Sequence, residues 1–472
     1  MLIVPKLDEH SEDPYYVQIL EFIKKEIISG MIPSHTRLTS IRKLADQLNI
    51  SATPVELAYQ QLLSEGFIES KPKVGYFVTS IHTNPIAPQP ILHQSDEPLP
   101  ITSRDPREYE YDFHLSKNDF TKFPYRTWKR LFASNLMNSA ALPYGNPQGE
   151  EGLRQVLTSY LHQYRGVNCS PEQIVIGADQ YILASLLSLI LHDASRSNRI
   201  AIEDPGYHLL PATFRKHGYE VIPVALEADG LSLEELYKSQ ANVVYTSPSH
   251  QFPRGMIMPI SRRLQLIEWA KNNSAYIIED DYDGEFRYHG KPIPSMQGLV
   301  DNSPVIYLSG FSQLLAPAFC IHYMVLPEQL MPKYHELRTE LYLEHTAARW
   351  NQITLQQFIE RGFLETHLRK MRQLYRRKHD LMIGAIHKYF ENKAAITGTD
   401  AGFHVILTID HALTEAELVA KARDAGIMIA PMSFTWWDKS QPKALEFMIG
   451  FGGIPEDRID EGIRLLHKVW YS

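Results

Sequence analysis

Residues 275–311 read AYIIEDDYDGEFRYHGKPIPSMQGLVDNSPVIYLSGF and contain two short apolar runs, AYIIEDD (275–281) and VIYLSGF (305–311). Both runs carry β-branched and aromatic side chains without polar alternation, which is typical of strands buried on both faces. Similar runs lie outside this stretch: IVIG (174–177), RIAIED (199–204), EVIPVAL (220–226), NVVYTSP (242–248) and IHYMVLP (321–327). Helical patterns separate the runs, so the sequence predicts a mostly parallel α/β sheet covered by helices.

The pattern changes after residue 328, where long helices are followed by a smaller mixture of strands and helices. The strand candidates there are AITG, FHVILTID, GIMIAP and LEFMIGF. We therefore expect residues 111–472 to form one domain of two lobes. The large lobe covers about 111–330, and the small α/β lobe about 331–472.

The N-terminal part of the chain predicts three helices and a hairpin. Apolar side chains recur at helical spacing over residues 16–27. Ser40 and Ser51 stand where their side chains could cap a second and a third helix, and Pro54 falls in the first turn of the third. The segment FIESKPKVGYFV (67–78) then reads as two short strands around a turn.

Residues 80–110 show no apolar periodicity and hold prolines at 85, 88, 90, 98, 100 and 106. Proline at this density favours an extended, semi-rigid chain. We expect a linker here, which separates a first domain at 1–79 from the second at 111–472.

Composition limits the function classes. The 472 residues are 44% hydrophobic and 22% charged, as in folded multidomain proteins. The formal net charge is −8, so any contact with nucleic acid must come from a local patch. Two cysteines, Cys169 and Cys320, form no disulfide framework and fit a reducing compartment. The N-terminus does not match a signal peptide and no apolar stretch could span a bilayer, so we expect a cytoplasmic protein without membrane contact.

The helix pair within residues 15–79 has the pattern that places a recognition helix in the major groove of DNA. The candidates for contact with bases or backbone are Arg37, Ser40, Arg42, Lys43, Ser51, Thr53 and Glu56, with Lys71 and Lys73 on the hairpin. The alternative is a small helical interaction domain. Residues 1–79 hold eight Lys and Arg against ten Asp and Glu, whereas DNA-binding domains are usually basic.

The N-terminal module resembles the winged helix-turn-helix of GntR-type transcription regulators over its whole length. The family block L-P-S-x-R reads Leu38-Thr39-Ser40-Ile41-Arg42, and S-R-x-T-V reads Ser51-Ala52-Thr53-Pro54-Val55. The resemblance implies binding to a double-stranded DNA operator. Ala52 stands where the family has a groove-facing arginine, so one contact with the operator is changed.

The rest of the chain resembles fold-type I aminotransferases, which use pyridoxal 5'-phosphate. The blocks that carry the resemblance are PYGNPQGEEGLR (143–154), EDPGYH (203–208), TSPSHQFPRGMIMP (246–259), IIEDDYDGEFRY (277–288) and YLSGFSQLLAPAFCIHYMVLP (307–327). With a GntR-type module in front, the chain is identified as a member of the MocR branch of GntR regulators. Membership implies a homodimer formed through the aminotransferase-like domain and a small-molecule effector of unknown identity.

The resemblance also assigns roles around the cofactor ring. It implies that Asp280 faces the pyridine nitrogen, that Tyr282 bonds the ring oxygen and that Tyr207 lies near the ring. The family motif F-S-K-x-L-x-P begins here as Phe311-Ser312-Gln313, so Gln313 replaces the lysine that forms the imine. A carboxamide nitrogen is not nucleophilic and is no base. We therefore expect no catalytic residue and no enzyme.

The resemblance reveals further losses on the phosphate side. Cys320 replaces an arginine, Gly310 replaces a Ser or Thr, and the helix turn reads Ala178-Asp179-Gln180, whose carboxylate would compete with a phosphate. The family F-A-R, which grips a substrate carboxylate, reads Phe451-Gly452-Gly453. We expect a pocket that binds pyridoxal 5'-phosphate noncovalently at most, and no metal. Its residues are Asp179, Gln180, Tyr207, Asp280, Tyr282, Ser312, Gln313 and Cys320.

The segment HLRKMRQLYRRKHD (367–380) concentrates six basic residues on one helix. It is either an auxiliary DNA-backbone patch or a solvated helix face, and charge runs usually mark solvated faces.

Three functions stay open from the sequence. The first is a DNA-binding transcription regulator with a catalytically inactive aminotransferase-like domain. The second is a divergent aminotransferase dependent on pyridoxal 5'-phosphate, against which Gln313 argues. The third is a protein-interaction scaffold, which Ala52 and the acidic N-terminal module favour.

Overall fold

A computed structural model describes residues 5–8, 11, 13–72, 74–80, 109–115, 117–195, 197–288, 293–343, 347–399, 401–439 and 444–472. The chain divides into two compact units, Met1–Asp105 and Pro106–Ser472. Of the expected linker, residues 80–110, only Ser80, Tyr109 and Glu110 belong to the described residues, and Lys73 lies outside them.

The first unit contains three helices and a hairpin. These are α1 (Tyr15–Ile28), α2 (Ile41–Leu48), α3 (Ala52–Ser64), β1 (Ile68–Lys71) and β2 (Gly75–Val78). The two strands are antiparallel, and the apolar faces of the helices share one buried core. A buried aliphatic side chain contributes about 1.5–3 kcal/mol, so packing of these faces stabilises the unit. The predicted order of helix, helix, helix and hairpin is confirmed.

The two predicted caps differ. The Ser40 side chain accepts a hydrogen bond from the backbone N–H of Lys43 at 3.4 Å, as expected for an N-cap. Ser51 occupies the N-cap position of α3, but its side chain makes no capping hydrogen bond. Pro54 is the third residue of α3 and has no N–H to donate, which removes one of the two usual partners of a cap.

The large lobe of the second unit is built on an eight-stranded sheet in the order β4-β11-β10-β9-β8-β5-β6-β7. Neighbouring strands in this sheet are parallel, except that β11 is antiparallel to both β4 and β10 and β7 is antiparallel to β6. The strands up to this lobe's end are β3 (Tyr111–Asp112), β4 (Ile174–Gly177), β5 (Arg199–Asp204), β6 (Glu220–Glu227), β7 (Gly230–Leu231), β8 (Val243–Thr246), β9 (Tyr276–Asp280), β10 (Val305–Gly310) and β11 (His322–Val325). The helices are α4 (Tyr125–Leu136), α5 (Glu151–Arg165), α6 (Gln180–Ile190), α7 (Leu209–Lys216), α8 (Leu233–Ser239) and α9 (Ile260–Asn272). The predicted mostly parallel sheet is confirmed.

The small lobe begins with three helices, α10 (Met331–Glu340), α11 (Arg349–Glu360) and α12 (Phe363–Phe390). Its other elements are β12 (Ala394–Thr397), β13 (His404–Ile409), α13 (Glu415–Asp424), β14 (Ile427–Met428), β15 (Ala430–Pro431), β16 (Leu445–Gly450) and α14 (Ile459–Tyr471). An antiparallel sheet has the order β12-β13-β16-β15. β3 pairs in parallel with β14, so the start of this unit joins the small lobe.

The sheet topology brings several chain segments to one edge of the large lobe. The parallel strands β4, β8, β9 and β10 end at this edge, where the antiparallel β11 begins. His322 is therefore opposite both Gly177 and Gly310. In parallel sheets such carboxyl-terminal edges are where ligands bind.

Candidate functional site

The first candidate site is the exposed start of α3 in the N-terminal unit. Ser51, Ala52, Thr53 and Glu56 are all exposed, whereas Val55 and the rest of the inner face are buried. Because Ser51 makes no capping bond, its hydroxyl is not committed to the helix. This surface has the position of a recognition helix that presents its N-terminal residues to base edges.

Positively charged residues flank this surface. Arg37, Arg42 and Lys43 are exposed, as is the capping residue Ser40. Arg37 forms an isolated β-bridge with Phe77 on the hairpin, which holds the loop before α2 against β2. The structure therefore places the four predicted residues around the helix pair, and Lys or Arg there can contact phosphates.

Lys71 has partners within the hairpin. Its Nζ lies 3.2 Å from Oε1 of Glu69 and 4.8 Å from the centre of the Phe77 ring. An exposed ion pair of this kind contributes little to stability, so Lys71 can exchange Glu69 for a phosphate at small cost.

The second candidate site lies at the carboxyl-terminal edge of the large sheet and centres on Asp280. This residue ends β9 and is 5% exposed. Its Oδ2 accepts hydrogen bonds from the hydroxyl of Tyr245 at 2.5 Å and from Nε2 of Gln180 at 2.8 Å. Burial outweighs both bonds and raises the pKa of Asp280 to about 7. The protonated and ionised forms are therefore both populated near neutral pH.

The two predicted tyrosines lie close to Asp280. Burial raises the pKa of Tyr207 to about 12, with a further contribution from the Asp280 charge. Burial also raises the pKa of Tyr282 well above its ordinary value, followed by the charges of Asp283 and Asp280. The ring of Phe252 makes edge contacts with both tyrosines, at centroid distances of 5.9 and 6.2 Å. Aromatic surfaces thus border the carboxylate.

The Tyr282 hydroxyl has a partner that sequence reasoning missed. It lies 2.9 Å from Nδ1 of His250, which is in turn 2.9 Å from Oδ2 of Asp283. His250 and Asp283 are both buried, as is Tyr245, which was also missed. His250, Asp283 and Tyr245 all lie within the motifs and apolar runs quoted above. Their hydrogen-bond partners are 32 to 35 positions away in the chain, and no sequence pattern predicts contacts at that separation.

The helix turn after β4 is closed by its own side chain. Oδ1 of Asp179 accepts a hydrogen bond from the backbone N–H of Ile182 at 2.8 Å, which makes Asp179 the N-cap of α6. An amide that could bind an anion is therefore already satisfied, and a carboxylate stands at the positive end of the helix.

His322 fills the space between this turn and the end of β10. Its Nε2 lies 3.0 Å from the Ser312 hydroxyl and its Nδ1 lies 3.3 Å from the carbonyl oxygen of Ala178. A Cβ on Gly310 would overlap the His322 ring. Burial lowers the pKa of His322, so the imidazole is neutral at neutral pH. His322 was not among the predicted residues.

Gln313 is held through its backbone. Nδ2 of Asn118 donates to the carbonyl oxygens of both Ser312 and Gln313, at 3.1 Å each. Oε1 of Gln313 is buried and has no hydrogen-bond partner among the described residues. Cys320 is exposed, and its thiol points to the carbonyl of Pro317 at 3.7 Å.

The glycines at 452 and 453 are packed against the segment that contains Asn118. A Cβ on Gly453 would lie 2.5 Å from Cβ of Lys117, and one on Gly452 would overlap the Lys117 carbonyl oxygen. A side chain at residue 453 therefore requires this segment to move.

Among the described residues, three of the six basic residues in the segment 367–380 of α12 have partners on other segments of the second unit. Lys378 is 1% exposed and donates to the carbonyl of Gly452 at 2.9 Å, and Arg372 donates to the carbonyl of Glu285 at 3.0 Å. Arg377 pairs with Glu456 at 3.0 Å. These contacts support a structural role for the helix.

Within the described ranges, no cluster of three or more His, Cys, Asp or Glu side chains could hold a metal ion. In the same part of the chain, no helix has the length and apolar character needed to cross a membrane.

Comparisons with known proteins match one family to each of the two compact units. The model of the gntR family of bacterial regulatory proteins matches residues 15–78, and that of class I and II aminotransferases matches residues 112–442. The HTH-type transcriptional regulator YhdI of Bacillus subtilis is 38% identical over 100% of this chain and 98% of its own length. The probable rhizopine catabolism regulatory protein MocR of Rhizobium meliloti is 29% identical over 99% of this chain and 96% of its own.

A solved structure shares the fold of the second unit. Kynurenine aminotransferase of Pyrococcus horikoshii superposes with a TM-score of 0.69 at 24% identity, over 77% of this chain and 91% of that one. At this identity the likeness shows the fold alone.

Proposed function

The chain belongs to the MocR type of GntR-family transcription regulators, and we propose that its aminotransferase-like domain has no transaminase activity and serves dimerisation and effector sensing. The domains implied are 1–79 for DNA binding and 111–472 for the aminotransferase-like part, joined by residues 80–110.

Gln313 is the observation that carries this proposal. It stands in the F-S-K-x-L-x-P motif at the lysine position, and its amide nitrogen can neither attack an aldehyde nor accept a proton. Covalent attachment of a cofactor and the usual route of transamination both depend on an amine at this position.

The residues on the phosphate side of the site do not fit pyridoxal 5'-phosphate. The turn at Asp179 presents a carboxylate where the phosphate would lie, Cys320 offers no positive charge, and the His322 ring leaves no room for a hydroxyl side chain at residue 310. The ring side keeps Asp280, Tyr207 and Tyr282, so the misfit concerns the phosphate side.

For DNA binding, we propose that Ser51, Thr53 and Glu56 contact bases. The backbone contacts come from Arg37, Ser40, Arg42, Lys43, Lys71 and Lys73. The exposed start of α3 and the surrounding positive charges support this assignment. Binding as a homodimer would give two half-sites related by a two-fold axis. Large apolar side chains stand exposed at Met137, Leu142 and Tyr144, and such side chains are suited to an interface.

The experiment uses the purified full-length chain. We expect a mobility shift with its own upstream DNA, a dimer in analytical ultracentrifugation, and no turnover of any common amino acid in the presence of pyridoxal 5'-phosphate. Turnover would establish the divergent aminotransferase instead. A folded chain that shifts no upstream fragment at low salt, where phosphate contacts are strongest, would favour the scaffold.

A further inference from the structure

The helix α3, which presents its first turn to DNA in the proposed function, carries no positive charge. Its sequence ATPVELAYQQLLS contains neither Lys nor Arg, and Glu56 is its single charged residue. Arginine and lysine are the side chains that most often bind guanine in the major groove. Contacts between this helix and bases must therefore come from a carboxylate, an amide, a hydroxyl or a methyl group.

The exposed face of α3 has Glu56 at its centre. Ala52, Glu56 and Gln60 are all exposed and follow one another at intervals of four residues, so they lie in one row along the helix. The inner face is buried, and the Tyr59 hydroxyl donates a hydrogen bond to the carbonyl oxygen of Thr39 at 2.8 Å. Core packing and this bond hold the helix in place, so the row is presented to solvent in one orientation.

The carboxylate of Glu56 has no ion-pair partner among the residues that the structure describes. Two other glutamates of the same unit do have one: Glu21 and Glu65 lie 3.3 and 2.6 Å from Nζ of Lys24. Residue 52, one helical turn before Glu56, is an alanine and supplies no charge. The negative charge of Glu56 is therefore available to whatever contacts this face of the helix.

A carboxylate without a neighbouring cation discriminates between the bases of the major groove. The phosphates of DNA repel it, so it weakens contact with DNA in general. Guanine and thymine present acceptor oxygens there, which repel it as well. Cytosine presents its N4 amino group, a donor that a carboxylate accepts, whereas the adenine N6 amino group lies beside the N7 acceptor and suits an amide. Cytosine is the base that compensates best for the repulsion.

We propose that Glu56 reads cytosine through its N4 amino group and rejects guanine and thymine at the same position of each half-site. Ala52 belongs to this arrangement, because an arginine at residue 52 could pair with Glu56 across one helical turn and neutralise it. The inference rests on the proposed function, since it requires that α3 enters the major groove.

Selection from a library of random DNA duplexes by the full-length chain tests the inference. We expect the wild type to enrich cytosine at one position of each half-site and E56A to enrich no particular base there. E56R should enrich guanine at that position, because a guanidinium binds O6 and N7 of guanine. Enrichment of the same base by the wild type and E56A overturns the inference. So does a base other than cytosine at the position that depends on residue 56.

A modified base removes the donor from the DNA. In the selected duplex, 2-pyrimidinone, which lacks the N4 amino group, replaces the cytosine. We expect the wild type to lose at least about tenfold more affinity than E56A does, as in a double-mutant cycle. Equal losses contradict the inference. The matched control E21Q removes an exposed carboxylate from α1, where Lys24 keeps Glu65 as its partner, and should respond like the wild type.

The same carboxylate predicts the opposite effect on unrelated DNA. At low salt, E56A should bind a duplex without the selected motif at least about twofold more tightly than the wild type, because the repulsion from the phosphates is gone. E21Q should bind it like the wild type. An unchanged affinity of E56A would place Glu56 away from the DNA and contradict the inference.

Failure of the inference and failure of the proposed function give different results. If the wild type shifts its upstream DNA but no position of its selected motif depends on residue 56, the inference fails and the regulator stands. If the folded wild type binds neither its upstream DNA nor the library at low salt, the proposed function is the part that fails.

Discussion

Nζ of Lys378 lies 2.7 Å from Oδ2 of Asp119, and the two residues are 259 positions apart in the chain. Lys378 also donates to the carbonyl of Gly452. One buried ammonium thus ties α12, the segment that follows β3 and the turn after β16 into one arrangement. Asn118, next to Asp119, holds the backbone of Gln313. The ion pair is therefore one residue along the chain from Asn118, which binds the backbone of Gln313.

Removing the ammonium leaves Asp119 without its partner. We expect K378M to destabilise the second unit by about 3 kcal/mol, because breaking a buried ion pair strands the other charge. Chemical denaturation followed by tryptophan fluorescence measures the change. The matched control is K370M on the exposed face of the same helix, which should cost less than about 0.5 kcal/mol. Equal effects of the two variants would show that the pair at residue 378 has no special role.

The raised pKa of Asp280 predicts a pH-dependent stability. Between its ordinary pKa near 4 and the folded value of about 7, the folded state holds a proton that the unfolded chain has lost. The free energy of unfolding therefore falls as the pH rises through this window, by up to about 4 kcal/mol. D280N lacks this titration, so the difference between wild type and D280N should shift in favour of the variant from pH 5 to pH 8. A difference that is constant with pH would mean that Asp280 titrates at its ordinary pKa. Burial also raises the pKa of Glu279 to about 7. The matched comparison is therefore E279Q, whose difference in unfolding free energy from the wild type should change with pH in the same direction.

The exposed basic residues near α3 predict the salt dependence of DNA binding. R42A should weaken binding to all sequences and reduce the slope of log affinity against log salt by about one. Fluorescence anisotropy at several salt concentrations gives the slope. The double variant K370A/R376A on α12 serves as control and should leave the slope unchanged. A reduced slope there would assign a DNA contact to α12.

Ala52 allows a gain-of-contact experiment. It is exposed beside Ser51 and Thr53, so A52R can be accommodated at the start of α3 without repacking the core. We expect tighter binding to DNA in general and a salt slope larger by about one, because the new guanidinium reaches a phosphate or a base edge. A52Q controls for side-chain length without charge. No change with A52R would place this surface away from the DNA.

Restoring the lysine alone should not restore an enzyme. Q313K supplies an amine, but Asp179, His322 and Cys320 still oppose a phosphate. We expect Q313K to show no transaminase activity and no saturable binding of pyridoxal 5'-phosphate by absorbance. The triple variant D179S/H322G/Q313K is the comparison. Of these two variants, only the triple variant should bind the cofactor measurably. Turnover by the single variant would show that the phosphate end is open.

Local patterns in the sequence predicted much of the architecture. The runs that became β4, β5, β8, β9, β10 and β11 were recognisable because strands buried on both faces need continuous apolar side chains. The run that became β6 was recognised by the same pattern, although only Val224 of that strand is buried. The three helices and the hairpin of the first unit followed from helical spacing, from the two serines at cap positions and from Pro54. The antiparallel direction of β11 and the pairing of β3 with β14 were not predicted, since strand order and direction depend on contacts between distant segments.

The sequence by itself determined the identity of each group in the pocket: an amide at 313, a thiol at 320 and a carboxylate at 280. Only the tertiary structure decided what those groups can do. Tyr245 and Gln180 reach Asp280 from other elements, His322 closes on Gly310 across a strand pair, and Lys378 is buried in a helix whose composition suggests a solvated face. Burial and hydrogen bonding are properties of neighbours in space. Residues tens to hundreds of positions apart acquire them only when the chain has folded.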